Sequence, residues 1–168
     1  EDVVFDLDVD RKRVSLPQDI QQRVDAKFDD FVDAADAQSR KRPVKGEICV
    51  LSTYTPLPDG LKGSCRIATF DQVHYFARSR IPGNDYAFGK THVGFPLATW
   101  GIVAAKDDKL LLLRKKGAEG AYEGSPFTAF GALVSAAEDV ENGRISAERL
   151  LERSIGQEMG KNLWQRIS

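Results

Sequence analysis

The sequence predicts a mixed α/β, or α+β, fold: a mixed β-sheet with a long amphipathic helix near its start and a second, capped helix near its end. Three patterns predict it. Apolar and acidic residues alternate in VVFDLDV, from Val3 to Val9, the period of a half-exposed strand. Ile20, Val24, Phe28, Phe31, Val32 and Ala35 recur at helical spacing, which makes one apolar stripe. In the second half, runs such as PLATWGIVAA are continuously apolar, as in a strand buried on both faces.

Bulk properties narrow the class. The 168 residues, 42% apolar and 29% charged, suit one domain with a real core, or a domain with a small companion. A formal net charge of −1 offers a polyanion nothing globally, so no nucleic-acid partner is expected. No apolar run approaches the roughly 20 residues of a membrane span, and no signal peptide is visible. The expectation is a cytoplasmic protein without a membrane partner. The missing initiator Met hints at a trimmed or excerpted chain.

After the first strand, Ser15 is the expected cap of the long helix and Pro17 suits its first turn. The opposite face carries Asp25, Asp29, Asp30, Asp33 and Asp36. With no matching ligand cluster nearby, that face reads as solvated rather than metal-binding. Arg40, Lys41, Arg42 and Lys45 gather around Pro43; cations belong at a helix C-terminus, and a phosphate contact is the alternative. Three strands are expected next, GEICVLSTY, GSCRIATF and QVHYFARSR, the first two joined by the Pro/Gly loop TPLPDGLK.

Cys49 and Cys65 lie in two of these runs at a spacing that fits no zinc or CxxC pattern. They read as two buried thiols, with a disulfide as the alternative. His74 reads as a satisfied sheet histidine, having no acidic or cysteine partner at useful spacing. Residues 81–96 read as a linker, and Tyr86 and Phe88 within it are the candidates for stacking on a base, although loop aromatics more often cover a core edge. The expected division is an α+β N-terminal extension over 1–90 and a second domain over 91–168.

That second domain opens with a hairpin of Trp100–Ala105 and Leu110–Arg114 through the turn KDDK. A glycine-rich loop, GAEGAYEGSP, and the run FTAFGALV follow. The last helix runs from about Ser146 to Gly160, capped by the serine and ended by the glycine. Its apolar set is Ala147, Leu150, Leu151, Ile155 and Met159; its other face offers Glu148, Glu152, Ser154, Gln157, Glu158 and Lys161.

Taken in order, the hairpin ending LLLLRKKG, the loop GAYEGSPFTAF, the turn GALVSAAED and the helix RSIGQEMG resemble a Nudix domain over Phe95 to Leu163. The signature of that family is G-x5-E-x7-R-E-U-x-E-E-x-G-U, where U is a bulky apolar residue. Ala132 stands at its first glycine and Glu138 at its first glutamate. An insert of about seven residues around VENGRIS then precedes Arg153, Ile155, Glu158 and Gly160, which match. Ser154 replaces the glutamate after the arginine, Gln157 replaces the first of the paired glutamates, and Lys161 occupies the final apolar position.

The resemblance implies a Nudix-like mixed sheet with a signature helix, whose closing strands and helix are absent after KNLWQRIS. It also implies a magnesium-dependent site, with Glu158, Glu138 and Arg153 as catalytic candidates. Glu158 and Glu138 are then the metal ligands, and Arg114, Tyr86 and Phe88 the substrate-binding candidates. Magnesium prefers hard oxygen ligands, and carboxylates three and four residues apart share one helix face. Ser154 and Gln157 remove two formal charges from that face, so magnesium is expected to bind weakly or not at all. Three functions follow: a weakened or inactive module binding a nucleoside-diphosphate-type ligand, an active hydrolase of a nucleoside diphosphate linked to another moiety, or a scaffold subunit whose sheet a second chain completes.

Overall fold

The computed structural model describes residues 4–39, 41–78, 85–101, 103–104, 110–111, 113–114, 127–128 and 130–160. In chain order the elements are β1 (Val4–Arg13), α1 (Gln18–Ala37), β2 (Glu47–Leu57), β3 (Gly60–Thr69), α2 (Phe70–Arg78), α3 (Asp85–His92) and β4 (Phe95–Pro96). There follow β5 (Ala98–Gly101), β6 (Val103–Ala104), β7 (Leu110–Leu111), β8 (Leu113–Arg114), β9 (Phe127–Thr128), β10 (Phe130–Leu133), β11 (Val140–Glu141), β12 (Arg144–Ile145) and α4 (Ala147–Met159). This is a mixed α+β protein with a mixed, multi-stranded sheet. No helix among the described residues is long and apolar enough to cross a membrane. The chain divides into two compact units, Glu1–Leu97 with Val134–Ile145, and Ala98–Leu133 with Ser146–Ser168.

The first unit holds a six-stranded sheet in the order β11-β12-β1-β3-β2-β4. β1 runs parallel to β3, and β2 runs antiparallel to both β3 and β4. The alternation in β1 does what its period requires: Leu7 and Val9 are buried while Asp8 and Asp10 face water. From α1 come Ile20, Val24, Phe28 and Ala35 to the core, which Ile48, Cys49, Val50, Cys65, Ile67, Val73 and Phe76 also build.

α1 is entered at Pro17, whose carbonyl accepts the Gln21 N–H at 2.9 Å, and no side chain caps it. A residue before proline is pushed out of the helical region, so the helix cannot start early enough for Ser15 to cap it; Asp19 in the first turn answers the dipole instead. Of QVHYFARSR, Gln72 to Arg78 form most of α2 and not a strand; Ser79 and Arg80 lie outside the described residues. The start of α2 carries one half of a capping box: the Gln72 side chain accepts the Thr69 N–H at 3.1 Å. His74 is therefore a helix residue, its ring stacked on Phe31 with centroids 4.3 Å apart.

The loop TPLPDGLK is mostly strand: the β2–β3 ladder continues to Leu57↔Gly60 and leaves only Pro58 and Asp59 to turn. From Thr55 to Asp59 the side chains are all exposed, so burial gave that stretch no strand pattern to show. The linker contains α3 and β4. α3 comes close to α2 because Gly89 has no side chain: a Cβ there would lie 2.5 Å from Phe76 Cγ.

The insert VENGRIS is a hairpin. β11 and β12 pair through Val140↔Ile145 and Glu141↔Arg144, and the turn residues Asn142 and Gly143 take φ of 51° and 77°, as a type I′ turn needs. β12 then joins the sheet beside β1 at Asp8↔Arg144.

In the second unit three chain segments pair with one another. β5 lies antiparallel to β10, β6 to β7, and β8 to β9. Of the expected hairpin, Val103↔Leu111 and Ala104↔Leu110 pair, whereas Trp100 and Gly101 pair with β10 and Leu113 and Arg114 with β9. The start of PLATWGIVAA is less enclosed than predicted, since Ala98 is exposed and Thr99 half-buried. α4 packs on β10 and β5, with Leu150 and Ile155 buried.

Candidate functional site

The site the sequence points to centres on α4. Its boundaries are set locally. Ser146 Oγ accepts the Arg149 N–H at 3.4 Å, satisfying one of the free donors of the first turn, and Gly160 ends the helix at φ 94°. Arg153 reaches from the helix to the sheet. Its Nη2 donates to the Leu133 carbonyl at 2.7 Å and its Nη1 to Gln157 Oε1 at 3.2 Å.

Ser154, at a position where the Nudix signature has a carboxylate, is completely buried. Its Oγ has no hydrogen-bond partner among the described residues. An ionised carboxylate there would lose its hydration without compensation. Gln157, at the other altered position, is exposed and holds the guanidinium of Arg153. Both replaced positions are thus committed to packing and to the arginine.

Glu138 belongs to the first unit, while Arg153, Glu158 and Arg114 belong to the second. Glu138 is exposed in the turn before β11, and its N–H donates to Ser135 Oγ at 3.3 Å. The buried acid of that turn is its neighbour Asp139, whose Oδ2 accepts the Ser135 N–H at 2.7 Å. The backbones of Tyr86 and Phe88 lie in α3, that of Arg114 in β8 and that of Glu158 in α4; their side chains lie outside the described part of the structure. Among the described residues no group of three or more His, Cys, Asp or Glu side chains stands together.

Two other clusters carry shifted groups. Lys45 Nζ bridges Asp25 at 2.6 Å and the buried Asp71 at 3.2 Å, and sits 5.2 Å from the Phe28 ring centroid. The hydrogen bond to Asp25 holds Lys45 above its ordinary pKa, and the same bond holds Asp25 below its own. Of the basic run, Lys45 and Arg42, which pairs with Asp36 at 2.9 Å, therefore answer the acidic face of α1. Cys49 and Cys65 are free, buried thiols. Burial, then the neighbouring Cys65 and Asp139, pushes Cys49 up to about 12; burial, then Asp8, pushes Cys65 up to about 11. Sequence reading passed over Arg11 and Arg13, which line an open cleft; the cationic run at the end of an acidic strand was the available signal.

Comparison with models of protein families, with curated proteins and with solved structures finds no match for this chain. The class its fold defines is a mixed α+β protein.

Proposed function

We propose that this chain is a Nudix-fold protein whose signature helix has been given over to packing. It is a catalytically weakened or inactive module that binds a nucleoside-diphosphate-type ligand or acts as a sensor or assembly element. The supporting observation is the arrangement of Arg153, Ser154 and Gln157: the arginine is bonded to Leu133 and Gln157, and the serine is wholly buried. Hydrolysis of a phosphoanhydride needs a dication to neutralise the charge that develops on the phosphoryl oxygens. Two of the positions that would gather it are uncharged and otherwise engaged. Titration calorimetry with ADP-ribose, NAD and sugar nucleotides, with and without magnesium, tests the reading. Binding that ignores magnesium supports it, and ligand turnover during the titration refutes it.

A further inference from the structure

We infer that the open cleft at the end of β1 is an anion site that takes a phosphorylated small molecule of nucleotide size. It lies within the first unit, encloses about 720 Å³, and has Arg11, Arg13 and Glu47 among its lining side chains. A volume of a few hundred to about 1,000 Å³ is usual for small-molecule sites.

The backbone brings the two arginines together. β1 keeps register with β3 from Val4↔Gly60 to Val9↔Cys65, but the next pair is Arg13↔Ile67. Extra residues of β1 are therefore accommodated in a bulge, and Asp10 Oδ1 accepts the Lys12 N–H inside it at 3.0 Å. A bulge re-aims side chains, and here Arg11 joins Arg13 in one concavity instead of continuing the ladder.

Charge then selects the ligand. Arg13 is paired with Glu47, whereas no ion pair among the described residues engages Arg11. The cleft thus carries a net positive charge, with an exposed guanidinium fork whose planar donors match phosphate oxygens. The rest of the wall is apolar. Ile67 and Val140 offer surface to the body of a ligand, and Ala136 and Ala137 leave room for it. An anion with an apolar or aromatic body fits both parts. This inference stands apart from the reading of α4.

The test is calorimetry on the full chain without magnesium, using ADP, inorganic pyrophosphate and adenosine as probes. ADP binds, more weakly as salt is raised, pyrophosphate binds less tightly, and adenosine does not bind. Arg11→Ala lowers ADP affinity roughly tenfold or more, the loss expected of a charged hydrogen bond, and leaves the unfolding midpoint unchanged. Glu158→Gln leaves binding intact. Absence of ADP binding, or ADP affinity untouched by Arg11→Ala, overturns the inference. Binding abolished by Glu158→Gln but kept in Arg11→Ala overturns it too, and assigns the nucleotide to α4.

Discussion

Arg153 Nη2 donates to the Leu133 carbonyl at 2.7 Å, tying α4 to the last residue of β10. The arginine of the resembled signature thereby acts as a strut between helix and sheet. Arg153→Ala removes this bond and the one to Gln157. A charged hydrogen bond contributes about 1.5–3 kcal/mol, so the variant should lose stability on that scale in urea unfolding. Arg153→Lys should recover only part of it, because an ammonium cannot reach both acceptors as a fork does.

Ser154 gives the sharpest contrast between packing and catalysis. Ser154→Ala removes a buried hydroxyl that has no hydrogen-bond partner among the described residues and should be neutral or stabilising in the same assay. Ser154→Glu restores the acid of the signature and places it in a site with no exposure. It should destabilise the fold by several kcal/mol, the scale of an unpaired buried charge. A folded, stable Ser154→Glu protein that gains magnesium affinity would show that the helix still faces a metal site.

Lys45 holds α1 and α2 through Asp25 and Asp71. Lys45→Ala leaves the buried Asp71 without its cation, at a cost of about 1–3 kcal/mol; Asp71→Asn in the same chain should recover most of it, as a double-mutant cycle will read. The pH dependence follows from the shifts. Asp25 is lowered from 3.8, so its contribution is present above that value and fades as pH falls through the folded-state pKa. Lys45 is raised from 10.5, so its contribution is present below that value and fades as pH rises through the folded-state pKa.

The two thiols act sooner on the alkaline side. Unfolded cysteines ionise from about 9.0, but folded Cys49 and Cys65 resist until about 12 and about 11. The unfolded state therefore loses protons first, and stability should begin to fall near pH 9. Replacing both cysteines by Ala should flatten this limb. In the native protein at pH 8 a disulfide reagent should label neither thiol at an appreciable rate, and both should react on unfolding.

How far the sequence could be read depended on whether a local signal had one meaning. β1, α1, the paired runs around Cys49 and Cys65, the Val103–Leu111 hairpin and the capped α4 were legible because apolar period and caps agreed. QVHYFARSR misled because its aromatics favour strands, while the capping pair Thr69 and Gln72 straddles the apparent boundary. Asn142–Gly143 is a strong hairpin signal, yet alignment to a signature made it an insert. Of the candidate site, the frame of α4 and the replacements at Ser154 and Gln157 could be read. That Arg153 turns to a backbone carbonyl, and that Ser154 faces inward, could not, since both depend on a sheet assembled from distant residues.

Cleavage of the diphosphate bridge of ADP-ribose and NAD into two phosphomonoesters with magnesium present, followed by phosphorus NMR for the wild type beside Glu158→Gln, tests the central claim most directly. The account predicts slow or no magnesium-dependent cleavage by either protein. Brisk cleavage by the wild type that disappears in Glu158→Gln would contradict it.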